Sequence, residues 1–280
     1  MSISRPIVSN ITPQWVSEGA GVRLRRSIAT PTLDYLDPFL LFDHFGSDDP
    51  QDYLAGFPMH PHRGIETVTY MLAGEVRHAD SMGNQGTIQA GDVQWMTAGG
   101  GIMHEEMPGA VDGRMEGFQL WVNLPASHKM MPPRYQEIKA EDIPLIERSK
   151  GTRMRVIAGE VEGIRGPVTG VLADPTYVDV SMEPRSTEHF AAPADHAAFV
   201  YLFAGSGRIA GQEILGSPRL LVLGEGDVLD VTSLDESLRF LLVMGRPLHE
   251  PIARYGPFVM NTQEEIRLAL QDLRNGTFVR

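Results

Sequence analysis

The 280-residue sequence contains no cysteine, so it can form no disulfide bond and has no thiol to serve as a nucleophile or a metal ligand. Its apolar runs fall far short of the ~20 residues that a membrane-spanning helix requires. The amino-terminal residues also lack the apolar segment of a secretory signal. We therefore expect a soluble cytoplasmic protein that does not associate with membranes.

Positive charge is scarce as well. The chain has 24 Lys and Arg residues against 36 Asp and Glu residues, which gives a formal net charge of -12 at pH 7. Nucleic-acid affinity depends largely on Lys and Arg side chains that neutralise phosphates. We therefore expect no direct binding of nucleic acid, whereas an acidic surface remains compatible with a protein partner.

Glycine and proline are abundant, with 29 and 20 residues respectively. They recur at short intervals between runs of Val, Ile, Leu and Tyr, a pattern that predicts many short β-strands. The length favours two domains. We expect an all-β protein with one domain over residues 1–125, a proline-rich linker over residues 126–150, and a second domain over residues 151–280.

One helix is predicted near the carboxyl terminus. Thr262 and Glu265 have the spacing of a capping box, and apolar residues recur with helical periodicity after them. Gly276 stands at a plausible stop. We expect a short helix that ends the second domain.

Two short segments carry side chains suited to a metal. His60 and His62 are two residues apart, and so are His104 and Glu106. In an extended strand such residues project from the same face, about 6–7 Å apart. Two neighbouring strands could therefore surround one divalent transition metal with three imidazoles and a carboxylate, leaving positions open for other ligands.

A weak internal repeat relates the two halves of the chain. Residues 70–74 resemble residues 201–205, and residues 91–97 resemble residues 226–232, in the same order and with similar spacing. The repeat indicates one β unit that was duplicated. Counting from these segments puts the following residues where the first half has its metal-capable side chains: Ala191, Pro193, Arg239 and Leu241. We therefore expect a single metal site.

Residues 56–74 and 91–104 resemble the two cupin motifs. Longer matches, among them residues 60–64, 94–99 and 255–262, resemble the pirin family. That resemblance implies two tandem antiparallel cupin barrels of the jelly-roll type. It also implies iron in the amino-terminal barrel, bound by three His and one Glu, and a carboxyl-terminal barrel without metal.

The residues that match the family's ligands are His60, His62, His104 and Glu106. Many cupins instead take a carboxylate from the first motif, where Glu66 lies four residues after His62. Strand parity favours Glu106, because Gly64 allows a turn that would re-aim Glu66. Glu66 would then hold a ligand imidazole or a bound water.

The resemblance also implies a function. Pirins are associated with oxidative ring opening of flavonols such as quercetin, so we expect an iron-dependent dioxygenase that uses a flavonol-like substrate and dioxygen. Glu106, or Glu66 if it is free, would accept the substrate's hydroxyl proton, and Gln119 could donate a hydrogen bond to the site. The same ligands also bind Mn, Ni, Cu and Zn.

A second function is also open. Pirins resemble regulatory proteins that act on transcription complexes or metabolic enzymes, and their iron could then serve as a redox sensor. The alternative hypothesis is therefore a non-enzymatic, metal-dependent protein that binds a protein partner.

Overall fold

The computed structural model describes residues 2–109, 113–149 and 151–279. The first twelve strands are β1 (Ile7–Ile11), β2 (Gln14–Glu18), β3 (Val22–Ile28), β4 (Phe39–Ser47), β5 (Phe57–His62), β6 (Ile65–Ala73), β7 (Glu75–Asp80), β8 (Gln85–Gln89), β9 (Val93–Thr97), β10 (Ile102–Gly109), β11 (Met115–Asn123) and β12 (Arg134–Ile138).

The second half of the chain continues the β architecture. Its strands are β13 (Leu145–Glu147), β14 (Arg153–Ala158), β15 (Glu160–Val161), β16 (Ile164–Arg165), β17 (Thr176–Met182), β18 (Thr187–Ala191), β19 (Ala197–Ala204), β20 (Gly207–Ile209), β21 (Gln212–Ile214), β22 (Arg219–Leu223), β23 (Val228–Ser233), β24 (Leu238–Gly245), β25 (Ala253–Tyr255) and β26 (Phe258–Met260). The helix α1 (Gln263–Asn275) follows. The predicted all-β fold with a short carboxyl-terminal helix is confirmed.

The sequence signals at both ends of α1 act as expected. The side chain of Thr262 accepts a hydrogen bond from the backbone N–H of Glu265, whose carboxylate in turn accepts from the backbone N–H of Thr262. Gly276 ends the helix in the left-handed conformation, with φ at 69°, which glycine adopts without steric cost. Across the described ranges, no helix combines the length and apolar character needed to cross a membrane.

The chain forms two compact units, each built from two separate segments. One unit contains Gln14–Ala140 with Leu248–Arg280, and the other contains Met1–Pro13 with Glu141–Pro247. We call them the first and second barrels. The two terminal segments therefore do not belong to the domains predicted for them. The start of the chain joins the second barrel, and the end of the chain joins the first.

Strand pairing explains this exchange of terminal segments. β1 pairs with β22 of the second barrel, whereas Arg63, next to β5 of the first barrel, forms an ion pair with Asp272 of α1 at 2.8 Å. The predicted linker is divided too, because β12 pairs with β9 and β13 pairs with β14. Patterns within a short stretch of sequence do not show which distant segments pair with one another.

The first barrel consists mainly of two antiparallel sheets. The larger has the order β12-β9-β6-β11-β4-β3-β2, and the smaller has the order β5-β10-β7-β8. Apolar residues from both sheets pack between them, including Val22, Phe45, Met71, Val76 and Ile88. Period-two alternation turns these side chains inward, so residues on the inner faces of both sheets reach a common interior.

The second barrel repeats this plan. Its larger sheet has the order β1-β22-β19-β24-β17-β14-β13, and its smaller sheet has the order β18-β23-β20-β21. By position in the smaller sheets, β18 corresponds to β5 and β23 corresponds to β10. The duplication expected from the sequence is therefore visible as a duplicated order of strands.

The detailed alignment of the repeat needs correction. Residues 91–97 enter β9 of a larger sheet, but residues 226–232 enter β23 of a smaller sheet. Counting onward from these segments therefore compared strands that are not equivalent. Both segments are a Gly-Asp pair followed by a strand, which is fully buried in β9 and only alternately buried in β23.

Strand register identifies the equivalent residues. In the first barrel His104 lies opposite His60, and in the second barrel the inward-facing Leu229 lies opposite Phe190. Following the inner face two residues onward puts Ala192 in place of His62 and Val231 in place of Glu106. All four replacements belong to the apolar core of the second barrel: Phe190, Ala192, Leu229 and Val231.

Candidate metal centre

The smaller sheet of the first barrel brings three histidines together. His60 and His62 lie on β5, and His104 lies on the neighbouring strand β10. The two strands are antiparallel, with His104 opposite His60 and Ile102 opposite His62. Because alternate residues of a strand share a face, all three imidazoles point into the barrel.

The three rings are close enough to share one ion. Their nitrogens lie within 4.8 Å of one another, and Nε2 of His60 is 3.0 Å from Nε2 of His62. Imidazole nitrogens lie about 2.0–2.1 Å from a bound metal, so separations of roughly 3–4 Å suit a common ion. The Nδ1–H of His60 donates a hydrogen bond to the Pro58 carbonyl at 3.0 Å. The lone pair of its Nε2 atom can therefore bind a metal.

Burial makes the cluster suitable for a cation. His62 and His104 are 3% and 1% exposed, and burial lowers the pKa of both well below 6.5. They are therefore neutral, as metal ligands must be. Within the described chain, neither ring nitrogen of His104 has a hydrogen-bond partner. Buried polar atoms are costly when unpaired, so these residues fit a bound divalent metal.

Glu106 lies at the edge of this cluster. It is 9% exposed, and the hydroxyl of Thr69 is 3.1 Å from its Oε1 atom. Burial raises the pKa of Glu106, while the neighbouring His60 opposes that change. In the described ranges the compact group of metal-capable atoms contains the three histidines, with Glu106 beside them rather than within it.

Glu66 occupies a different place. It is 2% exposed on β6, where its Oε1 atom accepts a hydrogen bond of 2.7 Å from Thr97 on β9. The backbone turns between β5 and β6 at Gly64, which has a φ of 79°. This turn re-aims Glu66, and among the described residues Glu106, not Glu66, lines the interior cavity.

Sequence reasoning missed Thr69. Its Oγ1 atom lies 3.1 Å from Oε1 of Glu106 and 2.7 Å from the amide oxygen of Gln119. One hydroxyl proton cannot serve both oxygens, but the contacts are satisfied if the Gln119 amide is turned so that its NH₂ donates to Thr69. Gln119 would then support Glu106 through Thr69 rather than contact the cluster.

A polar row crosses the inner face of the larger sheet. Thr69 lies opposite Gln119, Gln119 opposite Asp43, and Asp43 opposite Arg26. All four line the cavity. In the sequence, this row is indicated only by Asp43, a carboxylate within the apolar run of β4. The register of the strands is needed to connect Asp43 to the other three residues.

The cavity beside the histidines has a volume of about 590 Å³. Most of its wall is apolar, with contributions from Val22, Leu24, Phe45, Val76, Met115 and Trp121. Trp121 directs an edge-to-face contact at His62, with ring centroids 5.1 Å apart and an interplanar angle of 86°. An apolar chamber that reaches a few polar groups is typical of a small-molecule site.

The chain matches two family models. The pirin model matches residues 21–122, and the model of the pirin C-terminal cupin domain matches residues 177–279. The first range contains the three clustered histidines. The second contains β18 and β23, the strands of the second barrel that correspond to β5 and β10. The matched residues together make up more than half of the chain.

Relatives along the full length agree. A protein of Pseudomonas aeruginosa named "Putative quercetin 2,3-dioxygenase PA3240" is 44% identical over 282 residues, covering 99% of both chains. Pirin of Homo sapiens is 43% identical, covering 98% of this chain and 94% of its own. The crystal structure of quercetin 2,3-dioxygenase from Acinetobacter baumannii has a TM-score of 0.90 and 36% identity, covering 99% of both chains. This chain belongs to the pirin family.

Proposed function

We propose that this protein is an iron-dependent dioxygenase that opens the ring of flavonols such as quercetin. The observation that carries the proposal is a cluster of three histidines, two of them buried and neutral, and a buried glutamate beside an apolar cavity. The names of the Pseudomonas and Acinetobacter relatives support the same activity. A volume of about 590 Å³ suits a bicyclic or tricyclic aromatic molecule.

The proposed ligands are His60, His62, His104 and Glu106. A divalent metal held there supplies a Lewis acid with open positions for substrate oxygens and dioxygen. Iron is the metal that we propose, although the same donor set accepts Mn, Ni, Cu and Zn. Imidazoles cancel none of the charge of the metal, so with a single carboxylate ligand the site would keep a net positive charge, which favours an ionised substrate hydroxyl.

Glu106 is the proposed proton acceptor. Burial raises the pKa of Glu106, which brings its basicity closer to that of a phenol and makes proton transfer less unfavourable. The Thr69 hydroxyl holds Oε1 of Glu106, and Glu106 lines the cavity. Apolar residues around the substrate exclude water, so a carbanion-like ring is protected from protonation by solvent.

Oxygen uptake tests this proposal. Protein reconstituted with ferrous iron should consume oxygen when quercetin is added and should release carbon monoxide. His62→Ala should lose bound iron and turnover together, because it removes a buried ligand. His128→Ala, an exposed histidine away from the cluster, is the matched control and should retain both.

Metal analysis makes the outcome decisive. Full turnover in the His62→Ala variant would contradict a metal-centred reaction at this cluster. Stoichiometric iron without oxygen uptake would contradict the enzyme and favour the regulatory alternative. In that case the iron-loaded and oxidised forms should differ in capture of a protein partner.

A further inference from the structure

The wall of the cavity carries a cation that the proposed reaction does not use. Arg254 lies on β25, and its guanidinium lines the same cavity as the histidines. Its Nη1 atom donates to the Leu40 carbonyl at 3.1 Å, and its Nε atom makes a long contact of 3.5 Å with the Gly256 carbonyl. In the described part of the chain, Nη2 has no hydrogen-bond acceptor.

The neighbouring cation is bound differently. Arg26 donates to both carboxylate oxygens of Asp43, at 2.8 and 2.7 Å, and to Glu18 at 2.6 Å. Its charge is therefore matched by hydrogen-bonded carboxylates. Among the described residues, Arg254 has two backbone carbonyl partners and no carboxylate hydrogen bond, so its guanidinium is available to a ligand.

The surroundings of Arg254 favour an anion. Burial, followed by the charge on Arg26, lowers the pKa of Arg254, whereas the negative charges of Asp34 and Asp43 oppose that change. The guanidinium nevertheless remains charged, because the ordinary pKa of arginine lies far above neutral pH. A partly desolvated cation gains more from an ionised oxygen than the same cation does in water.

Trp121 connects this cation to the metal centre. The guanidinium carbon of Arg254 lies 5.1 Å from the centroid of the Trp121 ring. The centroid of the His62 ring also lies 5.1 Å from that of Trp121. Arg254 is therefore within about 10 Å of His62. A planar aromatic molecule of two or three rings that lies along Trp121 spans that distance.

We propose that Arg254 binds an acidic phenol oxygen at the end of the substrate farthest from the three histidines. This inference rests on the proposed flavonol substrate and names the residue that selects among flavonols. Arg254 would bind the ionised oxygen through Nη2 while Trp121 supports the ring. The site then prefers flavonols with hydroxyl groups on their outer rings over flavonols without them.

Ligand binding in the absence of oxygen tests this role without turnover. Quenching of tryptophan fluorescence gives the affinities of the metal-loaded protein for quercetin and for 3-hydroxyflavone, which has no outer-ring hydroxyl. We expect Arg254→Gln to reduce the preference for quercetin by about tenfold, the loss of one charge-assisted hydrogen bond. Arg254→Lys should keep part of the preference because the charge remains.

Two further readouts separate this role from a structural one. The preference of the native protein should increase as pH rises through ionisation of the outer phenol, and Arg254→Gln should abolish that increase. Arg267→Gln removes an exposed arginine whose partner is Glu264, and it should leave both the preference and its pH dependence unchanged.

An equal preference in the native protein and Arg254→Gln would overturn the inference. So would failure of the native protein to bind either flavonol. Arg254-dependent preference in a protein that consumes no oxygen in air would support the binding role while contradicting the dioxygenase, so the two failures can be told apart.

Discussion

At the scale of single residues, the site depends on polar atoms in a barrel interior that is otherwise apolar. Each one needs a partner, because an unpaired buried polar group costs about 1–3 kcal/mol. Thr69 supplies a partner to Oε1 of Glu106, and Thr97 supplies one to Oε1 of Glu66. The two glutamates are therefore held in different places by two threonines.

Exchange of each glutamate distinguishes their roles. Glu106→Gln should weaken metal binding by about 10–100-fold, since it changes a group beside the histidines. Glu66→Gln is the matched control and should retain metal, because Glu66 bonds to Thr97 outside the cavity. Competition with a chelator measures both affinities. Loss of metal in Glu66→Gln with retention in Glu106→Gln would reverse the assignment.

The carboxylate of Glu116 makes the stability of the first barrel depend on pH. The hydrogen bond from His44 and contact with Arg114 lower the pKa of Glu116 to about 2 against the opposing effect of burial. Burial lowers the pKa of His44, so that ring is a neutral donor at pH 7. Because the folded pKa lies below the ordinary 4.5, the stabilisation is present above pH 4.5 and disappears as pH falls toward 2.

Glu116→Gln should therefore lower the free energy of unfolding at pH 6 by about 1 kcal/mol. The difference from the native protein should shrink as pH is lowered from 5 to 3. Urea unfolding at several pH values measures it, with the exposed Glu264→Gln as control. A difference that is independent of pH would contradict the role of the ionised carboxylate.

At the scale of elements, the strand that carries His60 and His62 is fixed by residues distant in sequence. Lys129 is 2% exposed, and its ammonium donates to the Gly64 carbonyl, to Oδ1 of Asn123 and to the Val259 carbonyl, at 2.6–2.8 Å. These acceptors follow β5, end β11 and lie in β26. Arg63 adds a second connection, from the residue after His62 to α1.

Lys129→Met should destabilise the first barrel by at least about 2 kcal/mol, because three buried acceptors lose their donor. Lys139→Met removes a half-exposed lysine and should cost less than about 1 kcal/mol. Urea unfolding measures the two variants. Equal effects would show that the three buried hydrogen bonds contribute no more than the contacts of the half-exposed Lys139.

At the scale of the whole molecule, two barrels share one strand order but differ in their interiors. In the first barrel, the inner faces of β5 and β10 carry histidines beside a cavity. In the second, the equivalent positions are Phe190, Ala192, Leu229 and Val231 within a continuous apolar core. Packing therefore replaces metal binding as the source of stability there.

We expect one metal ion per chain. Elemental analysis should give a stoichiometry near one, and His104→Ala should reduce it to near zero. His189→Ala is the control, because His189 pairs with Asp230 on the exposed side of the second barrel. Two ions per chain, or loss of metal in His189→Ala, would contradict a single site.

Bound metal should also raise thermal stability, because a ligand that binds only the folded state shifts the unfolding equilibrium. Removal of metal by a chelator should lower the melting temperature of the native protein and leave that of His104→Ala unchanged. Differential scanning calorimetry measures both. An identical melting temperature with and without metal would contradict a site that forms only on folding.

The sequence by itself determined the elements and the side chains that share a strand face. Alternation and glycine spacing predicted strands, the capping box predicted α1, and the paired His60–His62 and His104–Glu106 spacing predicted which side chains share a face. Each of these signals lies within a few residues of chain. Short-range backbone geometry is enough to produce it.

Only the tertiary structure decided which distant segments meet. It exchanged the terminal segments between the barrels, corrected the repeat to equivalent strands, and brought Thr69, Asp43 and Arg254 to one cavity. The physical reason is that strand register and sheet order depend on the packing of whole faces. No local pattern in the sequence specifies that packing.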